Sequence, residues 1–338
     1  MSPVPDPQSA PPLRWGILGA GGIAGKFAAA LHANTRSRVV AVGSRDPERA
    51  ARFAAQHEVE RTHSDYVALC ADDSVQAVYV ATPHSRHLED ALVAIAAGKH
   101  VLVEKAFTRN VPEAETIFEA ARQQGVFVME AMWTRFLPHV AALHEVVDSG
   151  EIGQVVNVTA DHGQWFAFDA AHRLFDPALA GGALLDLGVY PVSFAHDFLG
   201  APASVNAVGT LTETQVDAQV AMILNYPGDV QATLHTTLLA RTPTVAAVSG
   251  TEGFVRVDGS FYRPTSFTVE RRGADPRTLS FVEPHGLHHE AVEVAIRVAE
   301  GATESPRMSW QDTLDVLGTM DEVRAQIGLS YPGEVPRS

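Results

Sequence analysis

Short, continuous apolar runs alternate with segments of helical periodicity over the first 130 residues. The runs cover residues 15–19, 39–43, 75–81, 100–104 and 126–129. Apolar runs of about four to eight residues without polar alternation are typical of strands buried on both faces, as in a parallel sheet covered by helices. Because crossovers between parallel strands are right-handed, this order predicts a doubly wound α/β domain of the Rossmann type.

The first apolar run ends in a glycine-rich loop, Gly19-Ala20-Gly21-Gly22-Ile23-Ala24, and an alanine-rich helical pattern follows it. A glycine match alone is compatible with an ordinary turn, but the strand–loop–helix context is the one that a dinucleotide-binding loop requires. Gly19 permits a tight turn, Gly21 lets the backbone approach a pyrophosphate, and Ala24 replaces the usual third glycine. Free N–H groups at the helix N-terminus would bind the phosphates. The loop therefore predicts a dinucleotide site.

The end of the second apolar run indicates which dinucleotide is bound. An acidic residue at this point would hydrogen-bond the ribose 2′-hydroxyl of NAD. Here Ser44 and Arg45 come first, and a hydroxyl together with a guanidinium suits a 2′-phosphate. Asp46 lies one residue further and could instead cap a helix that begins at Pro47. Unless Arg45 is merely a solvated surface charge, NADP is the favoured cofactor and NAD the less favoured one.

The pattern changes near residue 150, where several segments alternate apolar and polar residues. The strand-like segments are 152–161, 204–211, 216–225, 230–239, 244–249 and 254–258. They are joined by turn signals such as Pro227-Gly228-Asp229, which indicates a mostly antiparallel sheet with one open face. Helical patterns return over 288–300 and 310–327. An open apolar sheet face is typical of a subunit contact, so we expect a homodimer or higher homo-oligomer through this sheet.

The length of 338 residues predicts about two domains at roughly 150 residues each. We predict a disordered proline-rich tail over residues 1–12, a nucleotide-binding Rossmann domain over 13–132, and an α+β domain for substrate binding and dimerisation over 133–330.

Charge and composition exclude several classes of partner. A net charge of −15 opposes binding to nucleic acid. No segment approaches the roughly 18 apolar residues of a membrane span, and the N-terminus lacks the pattern of a signal peptide. We therefore expect a cytoplasmic protein without a membrane partner. The single cysteine, Cys70, excludes an internal disulfide and fits the apolar face of a helix.

Polar clusters follow the third and fourth apolar runs, where ligands bind in open α/β sheets. One cluster is Thr82-Pro83-His84 with His87, and the other is Glu104-Lys105. Together with the glycine loop and the segment 181–191, which contains Asp186 and Tyr190, they resemble the Gfo/Idh/MocA oxidoreductase family. Within that family, residues 129–136 most resemble the branch of dimeric dihydrodiol dehydrogenases and NADP-dependent sugar dehydrogenases. The resemblance covers about residues 13–329.

The resemblance implies roles for three catalytic residues. Lys105 would hydrogen-bond the substrate oxygen and stabilise a developing alkoxide, and Tyr190 would donate and accept the proton. We expect a nearby ammonium to lower the tyrosine pKa. Asp186 lies four residues before Tyr190 and could orient the lysine or substrate hydroxyls. The family usually has proline where this chain has Ala106, so other packing must set the pose of Lys105.

Further contacts are expected on both sides of the site. Glu104 should point to the opposite face from Lys105 by strand alternation and help to hold the nicotinamide side. The expected cofactor contacts after the third and fourth strands are Thr82, Pro83, His84, His87, Glu104 and Lys105. The candidate substrate contacts are Trp133, Arg135, His162 and Trp165, of which the aromatic ones are equally compatible with core packing. No metal-binding spacing occurs, and His288-His289, at a helix start, is expected to be partly exposed.

Two functions follow from these residues. The first is an NADP(H)-dependent oxidoreductase, acting on CH–OH groups, that transfers a hydride between the nicotinamide and a secondary alcohol or ketone of a sugar, polyol or cyclic diol. The second is a non-enzymatic NADP-binding regulator with the same fold, since fold alone does not give function. Ala106 favours the regulator, whereas the presence of Lys105, Asp186 and Tyr190 favours the enzyme.

Overall fold

The first domain of the computed structural model, which describes residues 4–336, contains a six-stranded parallel sheet. Its strands are β1 (Arg14–Leu18), β2 (Arg38–Gly43), β3 (Arg61–His63), β4 (Ala77–Val80), β5 (His100–Glu104) and β6 (Val128–Ala131). The order across the sheet is β3-β2-β1-β4-β5-β6, and every neighbouring pair is parallel. This confirms the doubly wound fold, whose switch point lies between β1 and β4.

Helices connect these strands on both faces of the sheet. They are α1 (Gly22–Asn34), α2 (Pro47–His57), α3 (Tyr66–Cys70), α4 (His87–Ala96) and α5 (Val111–Gln124). Asp46 caps α2 as expected, since its side chain accepts a hydrogen bond from the backbone N–H of Arg49 at 3.1 Å. Cys70 is buried at the end of α3, which confirms that it is a core residue.

A second sheet of eight strands carries the rest of the chain. Its strands are β7 (Val155–Gly163), β8 (Ser204–Leu211), β9 (Asp217–Tyr226), β10 (Val230–Thr237), β11 (Ala246–Gly250), β12 (Gly253–Val257), β13 (Ser266–Arg271) and β14 (Arg277–Ser280). Their order is β14-β13-β12-β11-β7-β10-β9-β8, and only the β7–β10 pair is parallel among the described residues. The prediction of a mostly antiparallel sheet is confirmed.

Four further helices complete the fold, α6 (Pro138–Asp148), α7 (Val189–Leu199), α8 (His288–Ala299) and α9 (Trp310–Ile327). One face of the large sheet packs against α7 and α9. On the other face apolar side chains remain in solvent, with Val208 78% and Ile223 44% exposed. The last helix also packs against α5, and the Trp310 ring stacks on Phe118 of the first domain at 5.1 Å. The two domains therefore share a hydrophobic contact through α9.

The prediction of a disordered tail over residues 1–12 is wrong for the part that the structure describes. Residues 1–3 lie outside the described residues. Ala10 is buried, and its carbonyl accepts a hydrogen bond from the Arg36 side chain at 2.9 Å. The side-chain amide of Gln8 donates a hydrogen bond to the backbone carbonyl of Asn34 at the end of α1. These contacts fix the segment against the C-terminal end of α1.

The expectation that no segment is long and apolar enough to cross a membrane is also corrected. Pro177–Leu199 is the one stretch within residues 4–336 that is long and apolar enough to cross a membrane, and 89% of its apolar window is buried in the protein. Burial of this kind is usual for a core helix, so the length of this apolar stretch reflects packing against the large sheet.

His288 and His289, expected to be partly exposed, are both buried where α8 begins.

Candidate active site

The glycine loop forms one end of a large cavity between the two domains. Gly19 has a φ of +98°, and a Cβ there would lie 2.8 Å from the carbonyl oxygen of Ala81, so this turn requires glycine. A Cβ at Gly21 or Gly22 would meet no atom of the described residues within 4 Å. The backbone N–H groups at the start of α1 are therefore accessible to a ligand, as pyrophosphate binding requires.

The residues after β2 lie at the same end of the cavity. Ser44 is buried and Arg45 is exposed, and both line the cavity wall. Lys26 and Arg49, which sequence reasoning missed, line it as well. Lys26 lies on α1 and Arg49 on α2, so only the packing of these helices brings their charges beside Arg45. This end can hold an adenosine phosphate through three cations and a hydroxyl.

The whole cavity has a volume of about 1020 Å³ and reaches from the glycine loop to Tyr190. It brings together most of the predicted site residues, which are Gly19, Ala20, Gly21, Gly22, Ile23, Ser44, Arg45, Thr82, Pro83, His84, His87, Glu104, Lys105, Trp133, His162, Asp186 and Tyr190. A single cavity of this size can hold a dinucleotide and a small substrate side by side.

Lys105 and Tyr190 meet at the other end of the cavity. The Lys105 Nζ lies 4.9 Å from the centre of the Tyr190 ring and donates a hydrogen bond of 2.7 Å to the backbone carbonyl of Asp186. Asp186 lies in a π-helical turn, Leu184–Gly188, which leads directly into α7 and Tyr190. This irregular turn brings the carbonyl and the side chain of Asp186 to the lysine, so the two motifs form one cluster.

Asp186 is a buried carboxylate between two cations. Its Oδ1 lies 3.0 Å from Arg173 Nη1 and 3.9 Å from Lys105 Nζ. Burial favours the neutral acid, but the charges of Lys105 and Arg173 outweigh burial and hold the Asp186 pKa well below its usual range. Asp186 is therefore ionised at neutral pH and partly neutralises the two cations beside the substrate end.

The expected direction of the Tyr190 pKa is wrong. Burial raises the pKa of Tyr190 well above its ordinary value, and the negative charge of Glu104 raises it further. The ammonium of Lys105 lies over the ring, and it does not reverse this effect. The hydroxyl oxygen accepts a hydrogen bond from Trp133 Nε1 at 3.2 Å. Tyr190 is therefore a neutral phenol at physiological pH, ready to donate a proton.

Glu104 lines the same cavity as Lys105, contrary to the expectation of opposite faces. The reason is that β5 ends at Glu104, so strand alternation does not extend to Lys105. One Glu104 oxygen accepts a hydrogen bond from the Tyr79 hydroxyl, and the other accepts from the Lys105 backbone N–H at 3.2 Å. Burial raises the pKa of the Glu104 carboxyl.

The two histidines after β4 hold the segment that carries Lys105 in place. The His84 ring lies 3.3 Å from the Lys105 carbonyl oxygen, which is within hydrogen-bond distance. The His87 ring lies 3.1 Å from the carbonyl oxygens of both Ala106 and Phe107. The peptide between Lys105 and Ala106 is cis. These contacts are the packing that orients Lys105 in the absence of the usual proline. Burial lowers the pKa of His84 to about 3, so its ring is neutral.

Aromatic rings form the wall beside Tyr190. The ring of Tyr262 lies 4.6 Å from that of Tyr190 and 4.5 Å from that of His162, and Trp133 lies at 6.2 Å. Tyr262 and its neighbour Arg263 line the cavity but were missed, because they lie in a loop whose position depends on long-range packing. Burial lowers the His162 pKa to about 4, so this wall carries no charge from His162.

Two predicted substrate residues lie elsewhere. Arg135 is buried in an ion-pair network with Asp312 at 3.1 Å and Asp197 at 3.9 Å, and it does not line the cavity. Trp165 is 66% exposed and is also absent from the cavity wall, which its neighbours Gln164 and Phe166 line instead. Both residues lie near cavity residues in sequence. The Trp165 side chain is nevertheless directed into solvent, and the Arg135 side chain is directed into the core.

A Rossmann domain whose open glycine loop shares one cavity with a lysine–tyrosine pair defines a nicotinamide-dependent oxidoreductase. Two family models match the chain. Residues 13–132 match the oxidoreductase family with an NAD-binding Rossmann fold, and residues 140–256 match the Gfo/Idh/MocA C-terminal domain. The chain belongs to the Gfo/Idh/MocA oxidoreductase family, which confirms the resemblance and the prediction of an enzyme.

Relatives of known activity match almost the full chain. The trans-1,2-dihydrobenzene-1,2-diol dehydrogenase of Mus musculus is 37% identical, and the match covers 95% of this chain and 98% of the mouse enzyme. That of Bos taurus is 35% identical over the same shares. A 3-ketoreductase from Actinomadura kijaniata, crystallised with NADP and TDP-benzene, is 29% identical with a TM-score of 0.82, covering 94% of this chain and 98% of the ketoreductase.

A further solved structure extends the comparison to sugars. The aldose-aldose oxidoreductase of Caulobacter crescentus, crystallised with glycerol, is 25% identical with a TM-score of 0.84. The match covers 93% of this chain and 97% of the Caulobacter chain. The relatives thus include named oxidoreductases of diols, sugars and ketones.

Proposed function

We propose that this chain is an NADP(H)-dependent oxidoreductase that transfers a hydride between the nicotinamide and a secondary alcohol or ketone of a sugar, polyol or cyclic diol. One observation carries the proposal. Lys105 and Tyr190 lie together at one end of the cavity whose other end is the glycine loop. Catalysis of this reaction requires both halves in one site, because hydride and proton go to the same carbonyl group.

The residues of the cofactor end fit NADP. Gly21 and Gly22 leave open backbone at the start of α1, where a pyrophosphate would bind. Arg45, Lys26 and Arg49 supply three positive charges at the wall where an adenosine 2′-phosphate would lie. An enzyme specific for NAD would instead place a carboxylate at the end of β2. The crystallised ketoreductase relative contains NADP, which supports the same assignment.

The substrate end supplies a hydrogen-bond donor and a proton. The nicotinamide, when bound, supplies or accepts the hydride. During reduction, the ammonium of Lys105 stabilises the negative charge that develops on the substrate oxygen, and Tyr190 transfers its hydroxyl proton to that oxygen. Asp186 keeps Lys105 in place through the contacts described above. The raised pKa of Tyr190 keeps it protonated, so the site is prepared for reduction at neutral pH.

The aromatic wall selects the kind of substrate. Trp133, Tyr190 and Tyr262 present ring faces and hydroxyls to the cavity. Ring faces pack against the apolar face of a sugar or a cyclic diol, and the hydroxyls orient its oxygens. The relatives are named for dihydrodiols and sugars, which are substrates of this kind.

The test is an assay of NADPH absorbance with ketoses, aldoses, dicarbonyls and cyclic diols, in both directions and with NAD(H) in parallel. We expect turnover of at least one class with a clear preference for NADP(H). Absence of turnover across the panel, with NADPH still bound, would favour the regulator. Trp165→Phe is the control for substitutions of cavity aromatic residues, because Trp165 is aromatic but lies outside the cavity. This variant should leave kcat unchanged.

We also infer that the open face of the large sheet forms a homodimer contact. Val208 and Ile223, on the neighbouring strands β8 and β9, expose apolar side chains on this face, and an open apolar sheet face is typical of a subunit contact. Sedimentation equilibrium should give twice the chain mass at micromolar concentration, and Val208→Glu should shift it towards the monomer. A wild-type monomer at that concentration would contradict the inference.

A further inference from the structure

Three side chains with metal-binding donor atoms meet beside the substrate end of the cavity. Glu283 lies in the loop between β14 and α8, and His288 and His289 are the first two residues of α8. One donor atom of each lies within 4.8 Å of the other two. We refer to Glu283, His288 and His289 as the Glu–His–His cluster. Its residues are far from any spacing typical of metal sites, so sequence reasoning did not find it.

The two imidazoles of the cluster are buried and incompletely paired. His288 is 2% and His289 6% exposed, and their ring centres lie 4.0 Å apart. His289 Nε2 lies 2.8 Å from Glu283 Oε1. The Nδ1 atoms of both rings have no hydrogen-bond partner among residues 4–336. A buried polar nitrogen without a partner destabilises a fold, and a metal ion is one partner that imidazole nitrogens accept.

We propose that the Glu–His–His cluster binds a divalent transition-metal ion, with zinc as the ion that fits the donor set best. Two imidazole nitrogens and one carboxylate oxygen suit Zn²⁺, Co²⁺ or Ni²⁺, whereas Mg²⁺ and Ca²⁺ prefer oxygen ligands. Tetrahedral zinc with bonds of about 2.0–2.2 Å places its donor atoms about 3.4 Å apart. The donor atoms of the cluster lie within 4.8 Å of one another, so binding requires only that side-chain rotation shorten the longer separations.

The site is open on one side. Glu283 is only partly buried, so an ion can reach the two histidines from solvent past this carboxylate. Three protein ligands leave one position of a tetrahedral ion for water. The ion would link the loop that carries Glu283 to the start of α8.

The ion would act on substrate binding through the residues between its ligands. Leu287 lines the cavity, and Gly286 packs so closely on Trp133 that a Cβ would lie 2.7 Å from the ring. An ion that links Glu283 to α8 therefore fixes the segment that carries both contacts. The cofactor end is formed by other elements. We expect removal of the ion to raise the KM of the substrate and to leave the Kd of NADPH unchanged.

The test is a Co²⁺ titration of the untagged full chain after treatment with a chelator and desalting. We expect visible d–d absorption that saturates at one equivalent and is displaced by Zn²⁺. Glu283→Gln and His289→Asn should weaken Co²⁺ binding at least about tenfold. The matched control is His235→Asn on β10, which removes a histidine far from the cluster in sequence and should bind Co²⁺ as the wild type does. Cys70 is buried, so the spectrum should lack a thiolate band.

The outcomes separate the proposal from its alternatives. A wild type that shows no saturable d–d absorption overturns it. Equal weakening by His235→Asn and by the cluster variants assigns the binding to surface histidines and also overturns it. If His289→Asn fails to fold, Glu283→Gln decides, because its amide can still pair with His289 at a partly exposed position. A Glu283→Gln chain that folds and binds Co²⁺ like the wild type refutes the site.

Discussion

Replacing Arg45 by aspartate should shift the cofactor preference from NADP towards NAD. Arg45 is exposed at the cavity wall, so its interaction with a 2′-phosphate takes place in a high dielectric. Two unit charges 4 Å apart interact with about 1 kcal/mol in water. The phosphate carries nearly two negative charges, and the substitution changes the charge of the side chain by two, which gives about 4 kcal/mol.

Screening by salt reduces this value. At physiological ionic strength the Debye length is about 8 Å, and we take roughly half of the interaction to remain, about 2 kcal/mol. This corresponds to a Kd for NADPH about 30-fold weaker. Lys26 and Arg49 remain at the wall, so binding is weakened and not lost. A new hydrogen bond from the ribose 2′-hydroxyl to the aspartate should strengthen NADH binding about fivefold.

The assay is a fluorescence titration with NADPH and NADH at two salt concentrations. The control is Arg122→Asp, which makes the same charge change on the exposed side of α5, at a residue outside the large cavity. We expect little change in the control and a smaller effect of Arg45→Asp at high salt. An Arg45→Asp chain that still binds cofactor and has unchanged NADPH affinity refutes the assignment of NADP through Arg45.

Three further predictions follow from single contacts. In a thermal melt, Gly19→Ala should lower the melting temperature, because a Cβ meets the Ala81 carbonyl. Gly21→Val should leave the melting temperature unchanged, but in a titration it should weaken NADPH binding about tenfold. Trp133→Phe removes the hydrogen bond to Tyr190, about 1 kcal/mol, and should lower kcat about fivefold at an unchanged NADPH Kd; an unchanged kcat would contradict the role of this bond. Burial raises the pKa of Glu130 to about 7, so the stability that its neutral form contributes is present below about pH 4.5 and lost as the pH rises to 7. In urea denaturation, the free energy of unfolding of the wild type relative to that of Glu130→Gln should therefore fall by roughly 2–4 kcal/mol between pH 4.5 and 8, and a difference that does not change with pH would contradict it.

Local patterns predicted most of the fold. The apolar runs gave five strands of the first sheet, but β3 was missed because it is a three-residue edge strand of polar residues, Arg61-Thr62-His63. In the second sheet, β13 and β14 were missed. The short β14 exposes most of its residues at the sheet edge, and β13 has only two apolar residues, Phe267 and Val269, between polar ones. Edge strands bury little surface, so they leave a weak pattern in the sequence.

The candidate site was predictable where motif and strand end coincide. The glycine loop, Lys105 and Tyr190 were found because each lies at a defined position of a βα unit or of a motif. Tyr262 and Glu283 were not, because long-range packing of loops places them. Arg135 was misassigned because sequence proximity to Trp133 does not reveal that its side chain pairs with Asp312 on α9.

The central claim is that the cofactor loop and the lysine–tyrosine pair form one catalytic site. The most direct measurement is kcat for NADPH oxidation with the best substrate of the panel, for Tyr190→Phe and Lys105→Met, together with the NADPH Kd of each. We predict that kcat falls at least about 100-fold in both, while the Kd stays within about threefold of the wild type. Wild-type kcat in either folded variant would contradict the claim.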